Sequence, residues 1–245
     1  MNLLQTLLFF GVPGLLSYLG IYYLVPILTQ REIPLIVSWT IALWGPLVLL
    51  LLAVLVMFVW QPNRLTFRER FRFHALTKQD WLIIAVVFIG LQVCELALSP
   101  TGAYFAQFPL FAPPAIIPDL FNPTFALEDG LSHLLGVPTQ GNWWLVLFWL
   151  GWLVINIGGE EILWRGYALP LQEAHFGRYA WLVNGLCWNL LFHYFMRWNF
   201  ITLMPISLVI PYLVQRRQNT WIGIILHGLG NLLVLVILVP SIVGT

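Results

Sequence analysis

The sequence predicts an all-α fold, a polytopic transmembrane helical bundle of seven to eight spans. Two observations carry this reading. Of the 245 residues, 60% are hydrophobic and only 9% are charged, where a soluble domain carries about a quarter charged residues. Apolar runs long enough to cross a bilayer also recur along the whole chain. The formal net charge of +1, with no basic stretch interleaved with aromatics, gives no footing for a nucleic-acid partner. Cys94 and Cys187 both sit inside apolar runs, so no disulfide framework is indicated. No fixed-period repeat or low-complexity tract divides the chain, and residues 1–245 read as a single integral membrane domain.

The spans follow in order. The first covers about 3–28 and lacks the basic start of a cleaved signal peptide; Pro13 and Pro26 are its expected kinks. The second covers about 34–60 and the third about 81–99. A long segment, about 142–172, comes next, then three spans at about 180–196, 199–215 and 220–240. The loop between the second and third spans holds Arg64, Arg68, Arg70, Arg72 and Lys78, five of the eleven basic residues, and is therefore expected on the cytoplasmic side. The connection 100–141 holds Asp119, Glu128 and Asp129 and no Lys or Arg, which places it outside; its apolar, proline-rich stretch caps the bundle or lies at the interface.

Segment 142–172 allows one crossing or two, broken at Gly158–Gly159. One crossing puts Arg178, Arg216 and Arg217 inside with the other basic residues, whereas two crossings put them outside, against the charge rule. One long crossing is preferred, giving seven spans; a break at the glycines would add an eighth. About 31 helical residues run to roughly 46 Å, so the helix must tilt or extend beyond the hydrocarbon.

Few ionisable groups lie within spans: Glu95, Glu160, Glu161, Arg165, His193 and His227. Such groups face a protein interior or a wet cavity. In "NIGGEEILWRGYALP" (156–170), Glu161 and Arg165 are i,i+4 neighbours with the acid N-terminal, the favourable order for an ion pair. Glu160 points about 100° away and has no such partner, so it is the carboxylate free to act as general base or acid. His227 and Asn231 are also i,i+4, and His193 has Asn189 four residues before it. Counted from the cytoplasmic ends, Glu160 lies roughly 18 Å deep, His193 roughly 20 Å, and His227 and Asn231 roughly 10 and 16 Å. Four polar groups on three helices thus fall in one slab and can meet in one cavity opening toward the cytoplasm. Glu95, at roughly 21 Å, joins them or bonds elsewhere. Asn156 and Asn184 read as interhelical glue, and His74, His133 and His175 as solvated groups near span ends. Gly158, Gly159, Gly228 and Gly230 read as small residues for close helix approach.

At these residues the chain resembles the family of CAAX proteases and bacteriocin-processing intramembrane proteases. "EEILWR" (Glu160, Glu161, Arg165) matches its EExxxR motif and "HGLGN" (His227, Asn231) its HxxxN motif. His193 stands where the histidine of FxxxH belongs. The likeness spans about 142–235, in the right motif order. One departure is plain: the motif's Phe position holds Asn189, so Trp188 or Phe192 is left to supply the aromatic packing. The resemblance implies an integral protein of the cell membrane, with about eight helices, that hydrolyses a peptide bond of a membrane-associated or lipidated (CAAX-like) substrate. In that scheme Glu160 is the base on water, helped by His193, and His227 with Asn231 stabilises the oxyanion. The family is often labelled as metalloproteases, and Glu160, His193 and His227 are suitable zinc ligand types. HExxH is absent, however, and the ligands come from three helices, so no metal cofactor is the preferred reading, with zinc as the alternative. Two other functions compete: a non-enzymatic immunity or scaffold protein that keeps the motifs for structure, and a proton-relay transporter, the latter disfavoured by the lack of paired inverted repeats.

Overall fold

The computed structural model describes residues 1–60, 65–125 and 130–244. Arg64 of the basic loop and Glu128 and Asp129 of the acidic connection lie outside the described residues. The chain is a helical membrane bundle. Helix α1 (Leu3–Gln30) and α2 (Leu35–Trp60) are followed by a short α3 (Phe67–Arg70) and by α4 (Lys78–Ala106). A two-strand hairpin, β1 (His133–Leu134) and β2 (Val137–Pro138), precedes the long helix α5 (Trp144–Phe176). Helices α6 (Ala180–Leu190), α7 (Met204–Arg217), α8 (Thr220–Leu232) and α9 (Val234–Val243) complete the bundle. Five stretches among the described residues are long and apolar enough to cross a membrane, the fourth running from α5 through α6.

Helix α5 does not break at Gly158–Gly159. It is α-helical over Trp144–Glu161, widens to a π-helix over Ile162–Ala168, and returns to α over Leu169–Phe176. The irregularity therefore falls one turn after the glycines, on the residues that carry Arg165. Such π-stretches are rare and concentrate at functional positions. The helix ends at Gly177, whose φ of +55° turns the chain into α6 in a region that disfavours other residues.

Two sets of contacts define the ends of the bundle. At one end Arg72 pairs with Glu173 and Arg217 with Asp80, both at 2.7 Å, and Arg72 O accepts the Thr220 amide at 3.0 Å. The basic loop, the close of α5 and α7, and the starts of α4 and α8 are thereby gathered together. At the other end the Thr101 and Thr202 hydroxyls are 3.2 Å apart. There Arg197 donates to Leu110 O and lies over the Tyr18, Tyr22 and Tyr194 rings. Helix α5 thus reaches the basic end only at its C-terminal close, as a single long helix.

The span expected at 180–196 ends instead at Leu190. Residues Phe192–Asn199 form a 3₁₀ segment, with non-helical angles at His193 and Met196. Asn189 donates to Phe200 O (2.9 Å) and His193 Nδ1 meets Trp188 O (3.1 Å). These side-chain bonds compete with the helix ladder. Pro205, in the first turn of α7, starts the next helix, so the stretch expected to begin at 199 begins at Met204. The last expected span divides at Leu233 into α8 and α9.

Close helix approach is required where α6 meets α7. A Cβ on Gly185 would collide with Ser207 O, and would also lie 3.1 Å from both Ser207 C and Leu208 Cδ2. The obstacle is backbone, which cannot rotate aside. Gly185→Ala is expected to destabilise the fold by about 1–3 kcal/mol, read as a lower unfolding midpoint in detergent; an unchanged midpoint contradicts this packing.

Candidate active site

The site is built around one indole. Trp188, near the end of α6, is 2% exposed. Its Nε1 donates to Glu160 Oε2 at 2.8 Å. Its ring lies beneath the Arg165 guanidinium, 4.0 Å from centroid to Cζ. The His193 and His227 rings meet it edge-on, with centroids at 4.9 and 5.1 Å. Two helices and the 3₁₀ segment thus converge on a side chain of a third helix that neither charge nor motif spacing marks as central.

Glu160, 2% exposed, has neutral donors on both oxygens: Trp188 on Oε2, and on Oε1 the Asn156 amide at 2.9 Å, one turn back on α5. Each carboxylate oxygen accepts more than one bond, so Glu160 keeps capacity for water. Asn156, read as packing glue from the sequence, orients this carboxylate; its i−4 spacing was the available signal.

Glu161 and Arg165 are fully buried and stand 3.4 Å apart. That is a long ion pair, and Arg165 has no hydrogen bond to any described residue; the Trp188 ring supplies its other contact. The same Glu161 oxygen also meets His227 Nδ1 at 3.0 Å. Spacing along α5 pointed only to Arg165; the second partner arrives from α8. The approach is tight because residue 223 is glycine: a Cβ there would collide with Glu161 Oε2.

Both histidines are held through Nδ1, His193 on Trp188 O and His227 on Glu161. In each, Nε2 is the nitrogen left for other chemistry. The Trp188 carbonyl can only accept, so His193 carries its proton on Nδ1, and a neutral ring presents a basic Nε2. Phe192 and Phe195 pack against His193, at 5.1 and 5.8 Å between centroids, so aromatic contact surrounds the ring although Asn189 occupies the motif's Phe position. Asn231 donates to His227 O at 3.1 Å, which leaves its second amide hydrogen.

A cavity of about 270 Å³ lies between α4, α5, α6, α7 and α8. Trp188, His193, His227 and Asn231 line it, and so does Glu95 from α4. Glu160 is not on its wall; the carboxylate sits behind the Trp188 indole. Leu120 and Phe121 wall the cavity from the segment between α4 and the hairpin, and Thr202 and Leu203 from the end of the bundle away from the basic loop. Among the described residues, no three His, Cys, Asp or Glu side chains are arranged to hold a metal ion.

Because Trp188 joins the buried carboxylate to both histidines, its indole N–H has a measurable role. Trp188→Phe keeps the ring under Arg165 but removes a donor to a buried carboxylate. It is expected to cost about 1.5–3 kcal/mol, seen as reduced thermal stability, and an unchanged midpoint would show that the bond contributes nothing.

Fold and site together define a class, the polytopic helical membrane proteins with a buried carboxylate–histidine centre. The family model described as type II CAAX prenyl endopeptidase Rce1-like matches residues 142–233, from the start of α5 to the close of α8. The matched segment contains the three motifs that carry the likeness to CAAX proteases. No curated protein and no solved structure matches the chain.

Proposed function

We propose that this protein is an intramembrane endopeptidase that hydrolyses a peptide bond of a membrane-associated or lipidated, CAAX-like substrate. The observation that carries the reading is the convergence of Glu160, His193 and His227 on Trp188, with both imidazoles and Asn231 on the wall of one cavity.

In this reading Glu160 is the general base. The Trp188 indole yields one Glu160 oxygen to water, and His193 Nε2 orients that water from the cavity side. Removal of a proton makes the water nucleophilic toward the scissile carbonyl. The developing oxyanion takes hydrogen bonds from protonated His227 Nε2 and from the free amide hydrogen of Asn231. Glu161 supports the His227 cation through Nδ1. With His227 protonated, Glu160, Glu161, Arg165 and His227 sum to zero charge, a balance that a buried centre favours. The proton taken from water then passes to the leaving amine.

The basic end of the bundle is assigned to the cytoplasm of a cell membrane. Substrate reaches the cavity from within the bilayer, past the wall formed by Leu120, Phe121 and Thr202. Comparative proteomics of membranes carrying wild-type or Glu160→Gln protein tests the reading. Uncut peptides should accumulate only with the variant. Identical peptide sets, with full biological activity in the variant, favour the non-enzymatic immunity or scaffold alternative.

A further inference from the structure

Among the described residues, one polar side chain on the cavity wall has no hydrogen-bond or ion-pair partner. His193 is bonded to Trp188 O (3.1 Å), His227 to Glu161 (3.0 Å), Asn231 to His227 O (3.1 Å) and Thr202 to Leu98 O (3.2 Å). Trp188 is held by Glu160. Glu95 is exposed on the same wall and draws no side-chain hydrogen bond or ion pair from any described residue. Leu91, Leu120, Phe121, Ile206 and Val234 supply apolar parts of the same wall. A carboxylate in such a surrounding, inside a membrane helix, is expensive unless a cation or donor meets it.

Resting on the endopeptidase reading, we propose that Glu95 binds a primary ammonium group, the new amino terminus of the peptide fragment that cleavage releases. Hydrolysis creates that cation at this site. The C–N bond breaks, the carbonyl carbon gains the water oxygen, and both water protons end on the amine, giving a carboxylate and a primary ammonium. Nothing else is consumed. The placement also suits release. Glu95 lies about 17 residues along α4 from the basic end, roughly 26 Å, whereas His227 lies about 7 residues along α8, roughly 10 Å. Glu95 therefore stands further from the basic end than His227 in the same cavity, and an ammonium drawn to it moves along the cavity away from His227. Glu95 is a specificity and release residue here, not the base.

The test measures binding without turnover. Titration calorimetry on the full chain in nanodiscs, carrying Glu160→Gln, uses an apolar dipeptide amide with a free amino terminus and its N-acetylated twin. The free amine should bind at least about ten-fold tighter, a difference of about 1.4 kcal/mol. Adding Glu95→Gln should bring the ratio to about one with an unchanged unfolding midpoint, while Glu95→Asp keeps part of it. Equal binding of the two peptides, no binding of either at millimolar concentration, or a ratio that survives Glu95→Gln overturns the proposal. The endopeptidase reading fails separately, through cleavage that persists in Glu160→Gln protein.

Discussion

Glu160→Gln is expected to abolish cleavage while the protein folds and accumulates normally. A positioned general base contributes about 10²–10⁴-fold, and a carboxamide cannot take a proton from water. The structure also explains why the fold should survive. Glu160 receives two donors, from Trp188 and Asn156, and glutamine offers only one acceptor oxygen. Its NH₂ would then face a donor, which is costly when buried. The Asn156 Oδ1 has no partner among the described residues, so a flip of the Asn156 amide presents an acceptor to that NH₂ and restores the match. Purified wild-type and variant protein, assayed on the same membrane peptide and melted side by side, give both readouts. Full cleavage by the variant would end the assignment of Glu160 as base.

The second large effect is structural. Glu161→Ala and Arg165→Ala are each expected to cost about 3–5 kcal/mol, because each strands a charge in a buried site. Both side chains are 0% exposed. Glu161→Ala removes the ionic partner of Arg165 and the acceptor of His227 at once. Arg165→Ala additionally empties the space above the Trp188 ring. The double variant Glu161→Gln/Arg165→Met should recover much of the loss, since it leaves neither charge unpaired and keeps an acceptor for His227. Expression level and thermal unfolding in detergent check this. Normal stability of both single variants, or a double variant as unstable as the sum of the singles, contradicts a buried charge pair.

How much of this was legible in advance differs from residue to residue. The Glu161–Arg165 pair was readable because α-helical neighbours at i,i+4 meet whatever else surrounds them, and the π-stretch that begins after Glu161 did not separate them. The Asn156–Glu160 bond obeys the same spacing. His227 on Glu161 and Trp188 on Glu160 were not readable, since each joins residues more than 25 positions apart. The end of α6 at Leu190 was missed for a related reason. Hydropathy runs on to about 196, but Asn189 and His193 find backbone carbonyls that a continuing helix would not offer. Glu95 had a depth but no direction until the cavity gave it one.

Composition and periodicity were enough to establish a helical membrane bundle, the approximate spans and the handful of polar groups inside them. Those properties are local: hydrocarbon thickness fixes how long an apolar run must be, and the helix period fixes which side chains are neighbours along one helix. Which groups meet across helices depends on how each helix is rotated about its axis and how closely the backbones pack, and that is settled by small residues and side-chain fit between partners. Among the described residues, Gly14 against Leu191, Gly185 against Ser207 and Gly223 beside Glu161 are the tightest such approaches. Packing of this kind set Trp188 between the carboxylate and the two histidines, and turned Glu95 toward the same cavity.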